Sequence, residues 1–132
     1  MVKTLRVLLI IYAVVLILSG LTSIFSSDQG AEAMFGVTSV SDFAKFGWAA
    51  LGTIYIAAGV WLLFAATDPS RHINWVRFVI TKAALFIATM VYAEIAGWID
   101  LSLAGWSLLI TDAILFILFL IAYPWRASQR GD

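Results

Sequence analysis

Apolar residues in this chain come in long blocks, not in alternation, and each block is about as long as a bilayer is thick. The blocks cover residues 5–25, 44–66, 76–98 and 104–123. A hydrocarbon core of about 30 Å needs about 20 helical residues to cross it, and a backbone in lipid must satisfy its own hydrogen bonds. The pattern therefore predicts helices. Polar punctuation separates them: Ser26-Ser27 follows the first block, Asp68-Pro69 breaks the second, a turn over residues 100–105 precedes the fourth, and Pro124 stops it. The expected fold class is all-α, a single-domain antiparallel bundle of four transmembrane helices.

Charge gives the expected orientation. Lys3, Arg6, Arg71, Arg77, Arg126 and Arg130 fall on one side of the blocks, whereas Lys45 stands among Asp28, Glu32, Asp42, Glu94 and Asp100 on the other. That bias predicts cytoplasmic N and C termini. Trp48, Trp98 and Trp106 at one set of ends and Trp75, Tyr123 and Trp125 at the other match interfacial belts. The first block, behind Lys3 and Arg6, also has the outline of a signal peptide. Its apolar run of about 20 residues is longer than a signal core, and keeping it makes the number of spans even, so it is read as a retained span.

Composition narrows the function classes. Hydrophobic residues make up 63% of the 132 and charged ones 12%, too little charge to cover a soluble domain. Eight basic and eight acidic residues cancel, so a nucleic-acid partner is not expected. With no cysteine and a single histidine, His72, the chain cannot supply thiolate metal sites, covalent haem attachment or paired histidine ligands. No phosphate-binding glycine loop, HExxH or GxSxG motif occurs. Neither cofactor, metal nor catalytic residue set is expected, and an enzyme is the least favoured class.

The polar positions inside the spans are therefore the candidate chemistry. Tyr12, Ser19, Thr22, Ser23 and Ser26 recur at helical spacing in the first span. Such a stripe either bonds back to its own helix or across to a neighbour, or forms the wall of a pocket open to the outside. In the second span Gly52 and Gly59, with Ala49, Thr53 and Ala57, permit close approach of another helix, from the same chain or from a second copy. The only full charges well inside the spans are Lys82, roughly 9 Å deep, and Asp112, roughly 16 Å deep. Their Cβ bonds lean apart, so Lys82 is expected to snorkel to the nearer headgroups and Asp112 to remain as a deep polar site. Ser19, Thr53, Thr89 and Tyr92 are its expected hydrogen-bonding partners, and Glu94 is placed near the rim. The candidate ligand or proton site is thus Asp112, Lys82, Glu94, Ser19, Thr22, Thr53, Thr89 and Tyr92. Residues 30–37 read as a short amphipathic lid or interfacial segment.

Taken in order, the basic start, the long first span, Met34-Phe35-Gly36-Val37, and the run from Gly47-Trp48-Ala49-Ala50-Leu51-Gly52 to Gly59-Val60-Trp61-Leu62-Leu63 resemble small bacterial four-span proteins of the DoxX-like and BphX-like kind. The resemblance implies a multi-pass protein of the bacterial inner membrane and carries no catalytic residues with it. Three functions stand as expectations. The first is a non-enzymatic accessory or structural subunit of a membrane complex, in contact with lipid, with other subunits or with a second copy through the small-residue face of the second span. The second is a small-solute or proton-coupled transporter that uses Asp112. The third is a membrane enzyme acting on a lipid or quinone.

Overall fold

In the computed structural model, residues 2–36 and 41–125 are described. They form α1 (Val2–Phe25), α2 (Ser27–Phe35), α3 (Asp42–Ala65), α4 (Ile73–Ile95) and α5 (Leu103–Ala122). The four long helices, of 20 to 24 residues, are each long and apolar enough to cross a membrane. Their ends fall within three residues of the blocks read from the sequence. Val37, Arg126 and Arg130, which entered the lid and orientation readings, lie outside the described residues.

Local chemistry sets the helix ends. The Ser41 side chain accepts from Ala44 N at 3.1 Å at the start of α3, and Ser102 accepts from Gly105 N at 3.3 Å at the start of α5. After α4, Gly97 takes φ 75° while Trp98 N donates to Ala93 O at 2.9 Å, a glycine-closed helix end that turns the chain toward α5. The Arg6 guanidinium donates to Ala66 O at 3.0 Å and Thr67 O at 3.1 Å, so α1 caps the last carbonyls of α3.

The helices alternate in direction, with α1 against α3, α4 against α5, and looser α1–α5 and α3–α4 contacts closing the bundle. Glycines set the closest seam. A Cβ on Gly20 would stand 2.5 Å from Gly52 O, and one on Gly59 would stand 2.9 Å from Ala13 O. The glycines of the second span thus pack against α1 within the chain, while Thr53 and Ala57 stay exposed.

Two clusters of buried side chains follow. At the end carrying the chain termini, Leu9, Leu62, Val76, Val79 and Phe119 pack around Tyr12, whose ring meets Phe119 edge-on at 5.9 Å. At the other end, α2 lies over the bundle and sends Phe35 against Trp48, Met90, Leu101 and Leu109. The end of α2 is tied to the α4–α5 turn: Asp100 N donates to Phe35 O at 3.0 Å, Ser102 N to Met34 O at 3.2 Å, and the Ser102 hydroxyl to Ala33 O. Lys45 adds an ion pair to Asp28 at 3.1 Å. Of the segment read as a lid or interfacial stretch, residues 30–35 belong to α2, a helix fastened across one end.

Candidate binding cavity

Between the two clusters the bundle encloses a cavity of about 310 Å³. Every member of the α1 polar stripe lines it: Tyr12, Ser19, Thr22, Ser23 and Ser26. The stripe bonds back to its own helix and also lines a cavity, although α2 covers the end at which that cavity was expected to open. Thr22 donates to Leu18 O at 2.9 Å and Ser23 to Ser19 O at 2.8 Å, so these hydroxyls satisfy themselves on their own helix while their faces form a wall.

The cavity's polar end is built from three helices. Tyr12 comes from α1, Lys82 from α4 and Asp112 from α5, with Tyr55 of α3 beside them. Lys82 does not snorkel, and the expectation is corrected. Its Nζ donates to the Tyr12 hydroxyl at 3.2 Å and lies 4.7 Å from the centre of the Phe86 ring, 4.9 Å from Tyr55 and 5.4 Å from Tyr12. Three ring faces and a phenol oxygen replace water around the ammonium, a substitution that the lean of the Cβ bond alone does not reveal. Phe86 stands one turn beyond Lys82 on the same helix, which places ring and charge together by spacing.

Asp112 is the outlier. It is only 5% exposed and lines the cavity, yet among the described residues no hydrogen bond or ion pair reaches its carboxylate. Lys82 faces it across the cavity without direct contact, so the absence of a close pair agrees with the opposed lean of the two side chains. The expected hydroxyl partners are engaged elsewhere. Thr53 donates to Ala50 O at 2.7 Å and Thr89 to Leu85 O at 2.8 Å on exposed helix faces, and Tyr92 packs its ring on Trp98 at 5.2 Å. Ser19 lines the cavity without bonding to the carboxylate. Glu94 is not at the rim: it accepts from Leu101 N at 3.0 Å and braces the α4–α5 turn.

Of the residues singled out in the sequence, the cavity thus gathers Asp112, Lys82, Ser19 and Thr22, and leaves out Glu94, Thr53, Thr89 and Tyr92. It adds Tyr55, Phe86 and Met90, and Trp48, which the sequence places in an interfacial belt. The four-residue spacing of Lys82 and Phe86 is a signal for Phe86 alone; nothing in the sequence marks the other three as cavity residues. The arrangement offers one anionic acceptor and several N–H and O–H donors whose formal charges cancel, under walls that are apolar and aromatic. Among the described residues, no three His, Asp or Glu side chains converge as metal ligands would. No family model, curated protein or solved structure matches the chain.

Proposed function

We propose that the protein is a solute-binding membrane protein of the carrier type, holding a small molecule between its helices with Asp112 and Lys82 as the polar contacts. One observation carries the reading: a carboxylate that is 5% exposed, with no hydrogen bond or ion pair from the described residues, facing a partly open cavity. Placing an unpaired charge or carboxyl in a span costs several kcal/mol on most scales, about 2.5 kcal/mol at the least, and packing alone gives no reason to keep it. A ligand supplies the reason. The position fits as well, because carriers hold their substrates near the bilayer midplane, and Asp112 lies nine residues, roughly 14 Å, into α5. The volume is at the small end of ligand sites, which run from about 300 Å³ upward. An accessory-subunit role leaves the unpartnered carboxylate unexplained.

The same reading places the protein in a plasma (bacterial inner) membrane with both termini cytoplasmic, on the strength of the basic residues at the terminal end and the acidic ones around α2. A chain without cysteine makes that testable, since single cysteines introduced at Asp28 or Thr67 give unambiguous labelling from outside or inside.

The deciding experiment compares thermal unfolding of wild type and Asp112→Asn in detergent against short-chain alcohols, amides, alkylamines and alkylcarboxylates, followed by counterflow of any stabilising class in liposomes. At least one class should stabilise the wild type, leave the variant unchanged, and exchange across the membrane. Identical curves for both proteins with every class, together with a stoichiometric partner chain in mild detergent, would return the protein to the subunit reading.

A further inference from the structure

The cavity's polar end, its roof and its windows together restrict what can enter and from where. The head of the ligand is restricted by charge. Lys82 already occupies the faces of Tyr12, Tyr55 and Phe86 that would attract a ligand cation, and it repels a second one. A ligand anion meets the mirror-image obstacle in Asp112, which has no intervening donor to screen it. What satisfies both ends is a neutral group that donates one hydrogen bond to the Asp112 carboxylate and accepts one from the Lys82 ammonium or a tyrosine hydroxyl. Hydroxyls and carboxamides have that pairing; ethers, ketones and hydrocarbons lack the donor.

The route is restricted by exposure. At the α2 end, Phe35 is 8% exposed, packs on Trp48, and is pinned through its own carbonyl to Asp100 N, so the aqueous end is roofed. The most exposed of the cavity residues are instead Leu18, 58% exposed, Leu51, 41% exposed, and Thr22, whose hydroxyl is committed to Leu18 O, while Ser26, Met34 and Trp48 nearer α2 are partly covered. Leu18 lies seven residues from the end of α1 and Leu51 nine from the start of α3, roughly 10 and 14 Å below the roof. Those depths are within the hydrocarbon, where the surrounding solvent is acyl chain.

We infer that the ligand is a neutral, membrane-dissolved molecule with a hydroxyl or carboxamide head and a compact apolar body, and that it enters sideways from the lipid past Leu18 and Leu51 instead of through the α2 end. The inference rests on the solute-binding reading above and adds the ligand's class and its path. The head reaches the Asp112–Lys82 gap while the body lies against Phe86, Met90 and Leu108.

The test uses protein in liposomes and 1-octanol carrying a photoreactive diazirine at its chain end. Labelling should map to peptides containing Leu18, Leu51 or Leu108. It should be competed at least fivefold by excess 1-octanol or octanamide and not by octane, octylammonium or octanoate, and it should fall to background in Asp112→Asn. Leu18→Trp with Leu51→Trp, both at exposed positions, should slow labelling at least fivefold, whereas Ser102→Ala with Asp28→Asn, which loosens the roof, should leave the rate unchanged. Monodisperse elution checks that each variant is folded. Octylammonium or octanoate competing better than octanol would overturn the neutral head, and a rate that responds to the roof variants but not to the tryptophans would overturn the lateral path; both leave the solute-binding reading standing. Labelling by no probe that depends on Asp112, even with the charged octyl compounds made photoreactive, would remove the solute-binding reading itself.

Discussion

The two halves of this bundle are built to opposite rules. At the terminal end Leu9, Leu62, Val76, Val79 and Phe119 are all at 0% exposure around Tyr12, and an open groove between α3 and α4, lined by Trp61, Trp75 and Phe78, lies outside that core. At the α2 end the same four helices stand around a space of about 310 Å³, and close packing resumes only beneath the roof. In lipid there is no hydrophobic gain from bringing helices together, because acyl chains are as apolar as leucine, so packing and close approach must hold the bundle. A half that forgoes packing is therefore expensive. The difference teaches that close packing and open space are separated along the bundle axis: one half fastens the helices, and the other keeps an opening around Asp112.

The seam between α1 and α3 runs through both halves, and breaking it should have the largest effect. Gly20→Val places its side chain against Gly52 O and Ile56, where backbone cannot give way. Overpacking of this kind is expected to cost about 3 kcal/mol. Unfolding in mixed micelles should register that loss, together with loss of the cavity as α1 tilts away. The control is Gly47→Ala on the same α3 helix, where an added Cβ meets nothing within 4 Å. It should change stability by under about 0.5 kcal/mol. Equal effects from the two would mean that the seam does not support the hollow half.

Matched truncations sharpen the contrast next. Phe119→Ala removes a ring that is 0% exposed and packed edge-on against Tyr12, and should cost about 3 kcal/mol through the void it leaves. Phe86→Ala removes a ring that already borders empty space and is half-buried. It loses few contacts beyond its share of the Lys82 cage, so about 1 kcal/mol is expected. Similar losses at the two positions, measured in the same micelles, would mean that the cavity half is as tightly packed as the other.

Asp112 itself should behave unlike either. The Asp112 carboxylate is open to the cavity but takes no hydrogen bond from the described residues, so Asp112→Leu is expected to leave stability unchanged or raise it by up to about 1 kcal/mol while abolishing ligand-dependent stabilisation. Loss of binding without loss of stability is the signature of a residue kept for recognition. A destabilised Asp112→Leu protein would mean instead that the carboxylate helps hold the closed half together.

The sequence carried the helices more fully than the cavity, and the reason is physical. Span lengths, breaks at Asp68-Pro69 and Pro124, and the glycine spacing are one-dimensional consequences of bilayer thickness and helix geometry, so they survive without coordinates. The α1 stripe was legible for the same reason: Tyr12, Ser19, Ser23 and Ser26 share a face by periodicity alone. The direction of Lys82 was not. Depth and Cβ lean favoured the headgroups, but three rings from three helices compete for the ammonium, and only α4 contributes a ring at readable spacing, Phe86. The partners proposed for Asp112 failed similarly, since Thr53 and Thr89 each had a carbonyl one turn back within reach. Local bonds won over distant ones.

The smallest effect expected concerns how the open half is kept shut. Lys45 reaches Asp28 at 3.1 Å and Asp42 at 3.8 Å, but the Lys45 and Asp28 side chains are 40% and 59% exposed and the Asp42 side chain fully so. Pairs of that kind contribute about 0–1 kcal/mol, less in salt. The roof's other hydrogen bonds are neutral ones, from Asp100 N, Ser102 N and the Ser102 hydroxyl to the end of α2, which ionic strength does not reach. Lys45→Ala should therefore cost no more than about 0.5 kcal/mol and leave proteolysis of α2 independent of salt between low and high ionic strength. A larger loss, or protease cutting within residues 27–35 that rises with salt, would mean that charge instead of neutral hydrogen bonding closes the hollow half, and that its resistance to opening depends on the ions around it.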